Sequence, residues 1–365
     1  MARIDALLAM MSERDASDLH LKAGSPPAIR VDGRLSILRD QPVLGADEMV
    51  AIAMEMFEDR HVPVFERGDD VDFAYAAPGV GRFRVNVFRQ RGTVSLTARR
   101  VSSRRLSFSE LGLPPVVEQL ANEKRGLVLV TGTAGSGKTT TLATMIDYIN
   151  RTRDGHIITV EDPIEVVHED IGCVIEQREI GIDTSSYDEA LRHVVRQDPN
   201  IIFIGEMRDA ETVSTALTAA EIGNLVLSTL HTIDATETIN RIIDFYPPYQ
   251  QRQARIMLAA TLRGIISMRL LPAVGGGLVP AVEALVMTGT IREYILDTEQ
   301  TYKIRDAMNE GEYYGMQTFD QSLIKLLQTG VITVEDGLAT SANSHDFRIK
   351  LRQIGVSVPA PAAGA

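Results

Sequence analysis

The feature that most constrains this chain is one short run, Gly132-Thr133-Ala134-Gly135-Ser136-Gly137-Lys138-Thr139-Thr140. Its first eight residues match G-x-x-x-x-G-K-[ST]. An apolar run at residues 127–131 leads straight into it, and the following segment places Leu142, Met145, Ile146 and Ile149 on one helical face. The mechanism needs that strand, loop, helix order. Glycines let the backbone approach a phosphate, successive N–H groups and the helix N-terminus favour the anion, Lys138 reaches the β/γ-phosphates, and the Thr139 hydroxyl ligates Mg²⁺. An accidental glycine-rich turn would not need those flanks. The run therefore predicts a nucleotide site built from Gly132 to Thr140.

The same period continues downstream. Residues 157–160, 201–204 and 225–229 are continuous apolar strands, and Ser186 with Glu189 forms a capping box opening a helix that carries Leu191, Val194 and Val195. Strands that are apolar throughout and separated by helices indicate an α/β fold with a parallel sheet buried on both faces and ligands at the strands' carboxyl ends. Upstream the pattern differs. An amphipathic helix (Ile4, Leu7, Leu8, Met11) precedes two strand-like runs at 28–31 and 35–38 that turn at Asp32-Gly33. A hairpin follows, in which Phe83, Val85 and Val87 alternate with Arg82, Arg84 and Asn86, and Val94, Leu96 and Ala98 alternate with Ser95, Thr97 and Arg99. After a serine- and proline-containing connector, the expected division is an α+β domain at 1–106, an ATPase core at 107–270, a mainly helical region at 271–355 and a disordered tail at 356–365. Within a helical third part beginning near Pro247, Leu258, Leu262, Ile265 and Ile266 are expected to share one helix face.

Composition narrows the partners. With 365 residues, 44% hydrophobic and 24% charged, the chain suits about two globular domains. No apolar run approaches the ~20 residues of a spanning helix. Arg3 and Asp5 interrupt the apolar N-terminal pattern, so it does not read as a secretory leader and a cytoplasmic location is expected. The lone Cys173 rules out an intrachain disulfide or a four-cysteine zinc site and reads as a small buried hydrophobe. A net charge of −12 argues against nucleic acid as a partner. Against that background eight arginines (82, 84, 89, 91, 99, 100, 104, 105) fall in a stretch without an acidic residue, suited either to meeting anions or to forming a solvated sheet face.

Further candidate chemistry sits at strand ends. Glu206 follows the strand at 201–204, where a P-loop sheet places its water-activating carboxylate, although Gly205 stands where an Asp normally supports the Mg²⁺ shell. Glu161-Asp162-Pro163-Ile164-Glu165 ends the strand at 157–160, and acids so close to a triphosphate must work on metal or water. His231, in Ser228-Thr229-Leu230-His231-Thr232, can report on the γ-phosphate or serve only a structural role.

In order and spacing, GTAGSGKTT, VEDPIE, IGEMRD and STLHT resemble the Walker A, Asp box, Walker B and His box of secretion-type ATPases. Ala16-Ser17-Asp18-Leu19-His20, Arg82-Phe83-Arg84-Val85-Asn86 and Gly315-Met316-Gln317-Thr318-Phe319-Asp320 narrow the resemblance to the type IV pilus retraction (twitching-motility) ATPases of the PilT/PilU family, over about residues 3 to 355. The resemblance implies a PAS-like N-terminal domain, a RecA-like ATPase domain and a homohexameric ring. It also implies ATP and Mg²⁺ as ligands and an inner-membrane pilus platform protein as partner, with the motor peripheral at the inner face of the cytoplasmic membrane. By position it assigns Lys138 and Thr139 to phosphate and Mg²⁺, Glu165 to the Asp box, Glu206 to catalysis and His231 to the His box. Among the hairpin arginines, Arg82 and Arg99 match best those that reach the nucleotide.

The chain departs from the family twice. Asn224 replaces a family histidine before the His-box strand, and Thr290-Ile291-Arg292-Glu293-Tyr294-Ile295 stands where retraction motors read Ala-Ile-Arg-Asn-Leu-Ile, which leaves room for an accessory role beside a paralogous ATPase. The competing readings are an assembly or secretion ATPase and an ATP-gated module without turnover. The first typically carries a four-cysteine zinc insertion, and the second would lack the catalytic carboxylates.

Overall fold

The computed structural model describes residues 3–31, 34–101, 106–356 and 358. Two compact units emerge, Met1–Ser103 with Glu165–Val167, and Arg104–Ile164 with His168–Ala365. The expected turn at Asp32-Gly33, Arg104 and Arg105 of the arginine run, and most of the expected tail lie outside the described residues.

The first unit runs α1 (Arg3–Glu13), β1 (Asp18–Lys22), β2 (Ala28–Val31), β3 (Arg34–Ile37), α2 (Ala46–Met56), α3 (His61–Glu66), β4 (Val71–Ala77), β5 (Gly81–Gln90) and β6 (Thr93–Arg100). Its strands form a six-stranded antiparallel sheet in the order β3-β2-β1-β6-β5-β4. The hairpin alternation works as the sequence predicts. Phe83, Val85, Val87, Val94, Leu96 and Ala98 are buried in one core with Ile4, Leu8 and Met11 of α1 and Met49 and Ile52 of α2, while Arg82, Arg84 and Arg99 stand on the other face; Arg89 and Arg100, paired with Val94 and Phe83, fall on the core side at the ends of the hairpin strands.

The second unit runs α4 (Pro115–Ala121), β7 (Gly126–Thr131), α5 (Lys138–Thr152), β8 (Gly155–Glu161), β9 (Cys173–Glu179), α6 (Tyr187–Val194), β10 (Ile201–Ile204), α7 (Ala210–Ile222), β11 (Leu225–Leu230), α8 (Ala235–Asp244) and α9 (Pro248–Thr261). After these come β12 (Leu262–Pro272), β13 (Leu278–Val286), α10 (Gly289–Leu296), α11 (Ile304–Glu310), α12 (Phe319–Gln328), α13 (Val334–Thr340) and α14 (Ser344–Gln353). The sheet order is β13-β12-β7-β11-β10-β8-β9, parallel except for β13. Every residue of β7, β10 and β11 is buried, because helices cover both faces. Leu127 and Leu129 pack with residues of α6 to α9, and Val128 and Val130 pack with α4 and α5.

One expectation is corrected. Leu262, Ile265 and Ile266 do not continue the helix of Leu258; α9 stops at Thr261 and they belong to β12. A strand covered on both faces is apolar without a period of two, so its residues can mimic a helical stripe. Gly264 marks the difference: a Cβ there would lie 2.6 Å from both Leu120 Cδ atoms, and the pairing with β7 shifts register at this point. The expected core limit at residue 270 thus falls within β12, and β13 extends the same sheet. Farther on, Phe319 and Leu323 are buried in a small core with Phe347 and Leu351, and Gly330 (φ +70°) follows the end of α12 as a C′ residue. Among the described residues no helix is long and apolar enough to cross a membrane.

Candidate functional site

The carboxyl ends of β7, β11, β10 and β8 converge on one edge of the sheet, and most of the candidate residues lie there. The loop after β7 is shaped by three glycines with φ of +144° (Gly132), +76° (Gly135) and +97° (Gly137), conformations that side chains rarely adopt. Gly132 is also sterically fixed, since a Cβ would stand 2.5 Å from Ser136 Oγ and 2.6 Å from the Met268 carbonyl oxygen. Lys138 Nζ folds back to donate to the carbonyls of Gly132 (2.8 Å) and Thr133 (2.9 Å). Ser136 Oγ is buried without a hydrogen-bond partner among the described residues. Such a loop, with a cation, a spare hydroxyl and the N-terminus of the 15-residue α5, fits a polyphosphate. Thr139 and Thr140 sit in the first turn of α5, where Thr139 is the hydroxyl available to a Mg²⁺ ion; among the described residues no cluster of His, Cys, Asp or Glu is built to hold a metal by itself.

One strand separates this loop from the candidate base. β11 lies between β7 and β10, and its hydroxyls tie the edge together, Ser228 Oγ donating to Ile204 O (2.8 Å) and Thr229 Oγ1 to Gly205 O (2.6 Å). Glu206 then projects with its side chain 19% exposed. Arg208 Nε donates to its Oε2 at 2.8 Å and His231 Nε2 lies 3.4 Å from its Oε1. The Glu206 bond holds the Arg208 guanidinium more firmly protonated than usual, and the same group lies 4.0 Å from Asp162 Oδ2. The acids after β8 are thus divided in their roles. Glu161 is buried, accepting from Thr159 Oγ1 (2.7 Å) and Gln177 Nε2 (3.2 Å), whereas Asp162 faces Arg208. Glu165 is exposed and groups with the first unit.

The arginine assignments meet a specific partner. Arg99 Nε donates to the buried Asp18 Oδ1 at 2.7 Å, with Arg30 at 3.6 Å from its other oxygen. Burial would raise the Asp18 carboxyl, but the bonds from Arg99 and Ser17 outweigh it and hold it low. Arg82 is half-buried on β5. Cys173 is buried, its thiol pushed up by that burial, and donates to Arg153 O at 3.3 Å. Asn224 sits at the start of β11, where its carbonyl accepts from Gly126 N at the beginning of β7, so it lies at the far end of the parallel strands from the nucleotide loop.

These features agree with the relatives. A family model described as "Type II/IV secretion system protein" matches residues 3–310. The type IV pilus retraction ATPase PilT of Pseudomonas aeruginosa is 44% identical over 344 residues, covering 94% of this chain and 99% of the relative. The chain belongs to the type II/IV secretion system protein family, in its PilT/PilU branch. The type IV pilus ATPase PilU of the same organism is 38% identical, covering 95% of this chain and 91% of the relative. A crystal structure of the pilus retraction motor PilT with bound ADP superposes with a TM-score of 0.89 at 46% identity, covering 95% of this chain and 99% of that one. Within this PilT/PilU-type edge, sequence reasoning did not find Tyr187, Gln177 or the Asp162–Arg208 contact. Tyr187 was visible only as the first residue after the Ser186 cap, whose Oγ accepts from Glu189 N.

Proposed function

We propose that the chain is an ATP-hydrolysing motor of type IV pilus retraction, working as a homohexamer on an inner-membrane platform protein at the cytoplasmic face. In this reading the second unit is a RecA-like P-loop domain and the first a PAS-like domain. The observation that carries it is the arrangement of strand ends: the phosphate loop after β7 and Glu206 after β10, with the His231 strand between them. Residues Gly132 to Thr140 cradle the ATP phosphates and Lys138 neutralises the β/γ-phosphates; Thr139 would hold a Mg²⁺ ion, which would supply further neutralisation of phosphate charge. Glu206 takes a proton from water as the water oxygen bonds to the γ-phosphorus. The bond to the bridging oxygen breaks with its electron pair leaving on ADP. His231, beside Glu206, senses the γ-phosphate. Glu165 (Asp box), Arg82 and Arg99 are carried into the proposal by the family resemblance, as groups that a first unit in the ring supplies to the nucleotide.

Glu206→Gln tests the chemistry. Its shape is kept, so ATP should still bind while phosphate release falls by ~10²-fold or more; unchanged turnover would move the base elsewhere, with Glu165 next. Deletion in the native host tests the direction: pili should remain while twitching is lost, and a strain without surface pili would support assembly instead. A second reading, an accessory motor, is favoured by the Thr290–Ile295 run, which lies in α10 with Ile291 and Ile295 buried and Arg292 Nε bonded to Ala259 O at 2.9 Å. In that case single deletion leaves twitching intact and its effect emerges only when the paralogue is also removed.

A further inference from the structure

Gly205 ends the base-bearing strand where a carboxylate is usual, and the structure gives a steric reason for the glycine. A Cβ at this position would stand 2.8 Å from Tyr187 Oη, 3.3 Å from Val160 O and 3.4 Å from Glu161 Cα. The ring of Tyr187, from the first turn of α6, brings its hydroxyl into the volume that the first carbon of a side chain at 205 would need. That hydroxyl makes no hydrogen bond among the described residues. It lies in the field of Asp162, Arg208, Glu161 and Glu206, and Arg208 is itself bonded to Glu206. Burial, followed by Asp162, pushes the phenol well above its ordinary value, so it stays a neutral donor throughout the working pH range.

A carboxylate at 205 would add one more negative charge beside Glu161, Asp162 and Glu206, whereas a phenol supplies a hydrogen-bond donor without charge. We infer that Tyr187 is a positioning residue for Glu206: its hydroxyl, standing where the strand-end carboxylate is absent, orients the Glu206 carboxylate toward the water it deprotonates. This rests on the assignment of Glu206 as the base.

The test compares purified full-length wild type, Tyr187→Phe and Glu206→Gln. For Tyr187→Phe, loss of the donor that this hydroxyl turns to Glu206 once ATP and the attacking water are in place should lower kcat about tenfold, leave KM for ATP and the affinity for ADP within about twofold, and weaken retention of ADP–aluminium fluoride about tenfold. The acid limb of the rate profile should move to higher pH, because a carboxylate that loses a donor is easier to protonate. A merely structural tyrosine would lower the melting temperature and weaken ADP and ADP–aluminium fluoride alike, with the acid limb unmoved. Gly205→Ala, which displaces the same hydroxyl from the opposite side, should reproduce the kcat loss and keeps the test usable if the phenylalanine variant fails to fold. Wild-type kcat and acid limb in Tyr187→Phe, with Glu206→Gln inactive, overturn the inference alone. Wild-type turnover in Glu206→Gln overturns the base assignment and the inference with it.

Discussion

The ends of β7 and β10 are built in opposite ways. The loop after β7 is nearly self-contained: its shape follows from its own glycines, and Lys138 closes it by bonding to Gly132 and Thr133, its neighbours in sequence. The end of β10 is borrowed. Glu206 is held by His231 after β11 and by Arg208, which also faces Asp162 after β8; its glycine is dictated by Tyr187 on α6. Binding a phosphate requires many backbone N–H groups at once, which a short contiguous loop supplies, whereas aiming a base requires side chains to converge from several elements.

If this contrast is right, the largest effects come from the self-contained loop. Lys138→Ala removes its internal clamp and, on the proposed reading, the charge that meets the β/γ-phosphates, and ATP affinity should fall by ~100-fold or more in a calorimetric titration. Gly132→Ala should come close behind. Its left-handed backbone and collisions at 2.5 and 2.6 Å leave no relaxed conformation, so a cost on the order of 3 kcal/mol in thermal unfolding, together with loss of binding, is expected.

The same contrast explains what the sequence disclosed. The nucleotide loop, α5, the Ser186 cap and the β5–β6 hairpin are local patterns, and each is found where periodicity and capping chemistry put it. β12 was misread because full burial erases its alternation, and β9 passed unnoticed because, at the sheet edge, its short apolar start Cys173-Val174-Ile175 runs straight into Glu176-Gln177-Arg178-Glu179. At the site, Glu206 and His231 were legible as strand-end residues. Tyr187 was not, since its part in the site depends on a contact with Gly205 that crosses from α6 to β10.

A buried carboxylate within β13 sharpens the borrowed side of the comparison. Thr131 at the end of β7 pairs in register with Ser267, which pairs with Glu283 on β13, and Glu283 Oε1 accepts from Ala235 N (2.9 Å), the start of the helix after His231. Burial pushes this carboxyl up to about 7, with Asp234 adding to the push and the backbone N–H groups of Ala235 and Phe319, with Arg305, opposing it. The folded chain therefore keeps a proton that the unfolded chain releases near 4.5, so the contribution to stability is full below that pH and lost as pH rises through about 7. At ~1.4 kcal/mol per unit this is about 2 to 3 kcal/mol between pH 5 and 8. Glu283→Gln should remove that part of the pH dependence of the melting temperature, and an unaltered slope would show that the proton is held elsewhere.

The smallest effect is expected at Gly135, in the same loop as Gly132 and with the same sign of φ. A Cβ at Gly135 meets nothing within 4 Å, in contrast to the crowded Gly132. Alanine there would bear only the cost of a left-handed backbone at +76°, about 1 to 2 kcal/mol, and could keep the N–H groups aimed at the phosphates. Gly135→Ala should therefore melt slightly lower than wild type and lose about three- to tenfold in ATP affinity, well short of Gly132→Ala. The pair separates two reasons for a glycine within one loop, backbone conformation and close approach. Equal losses at both positions would mean that conformation alone sets the loop, and that the contacts of Gly132 with Ser136 and Met268 are incidental to it.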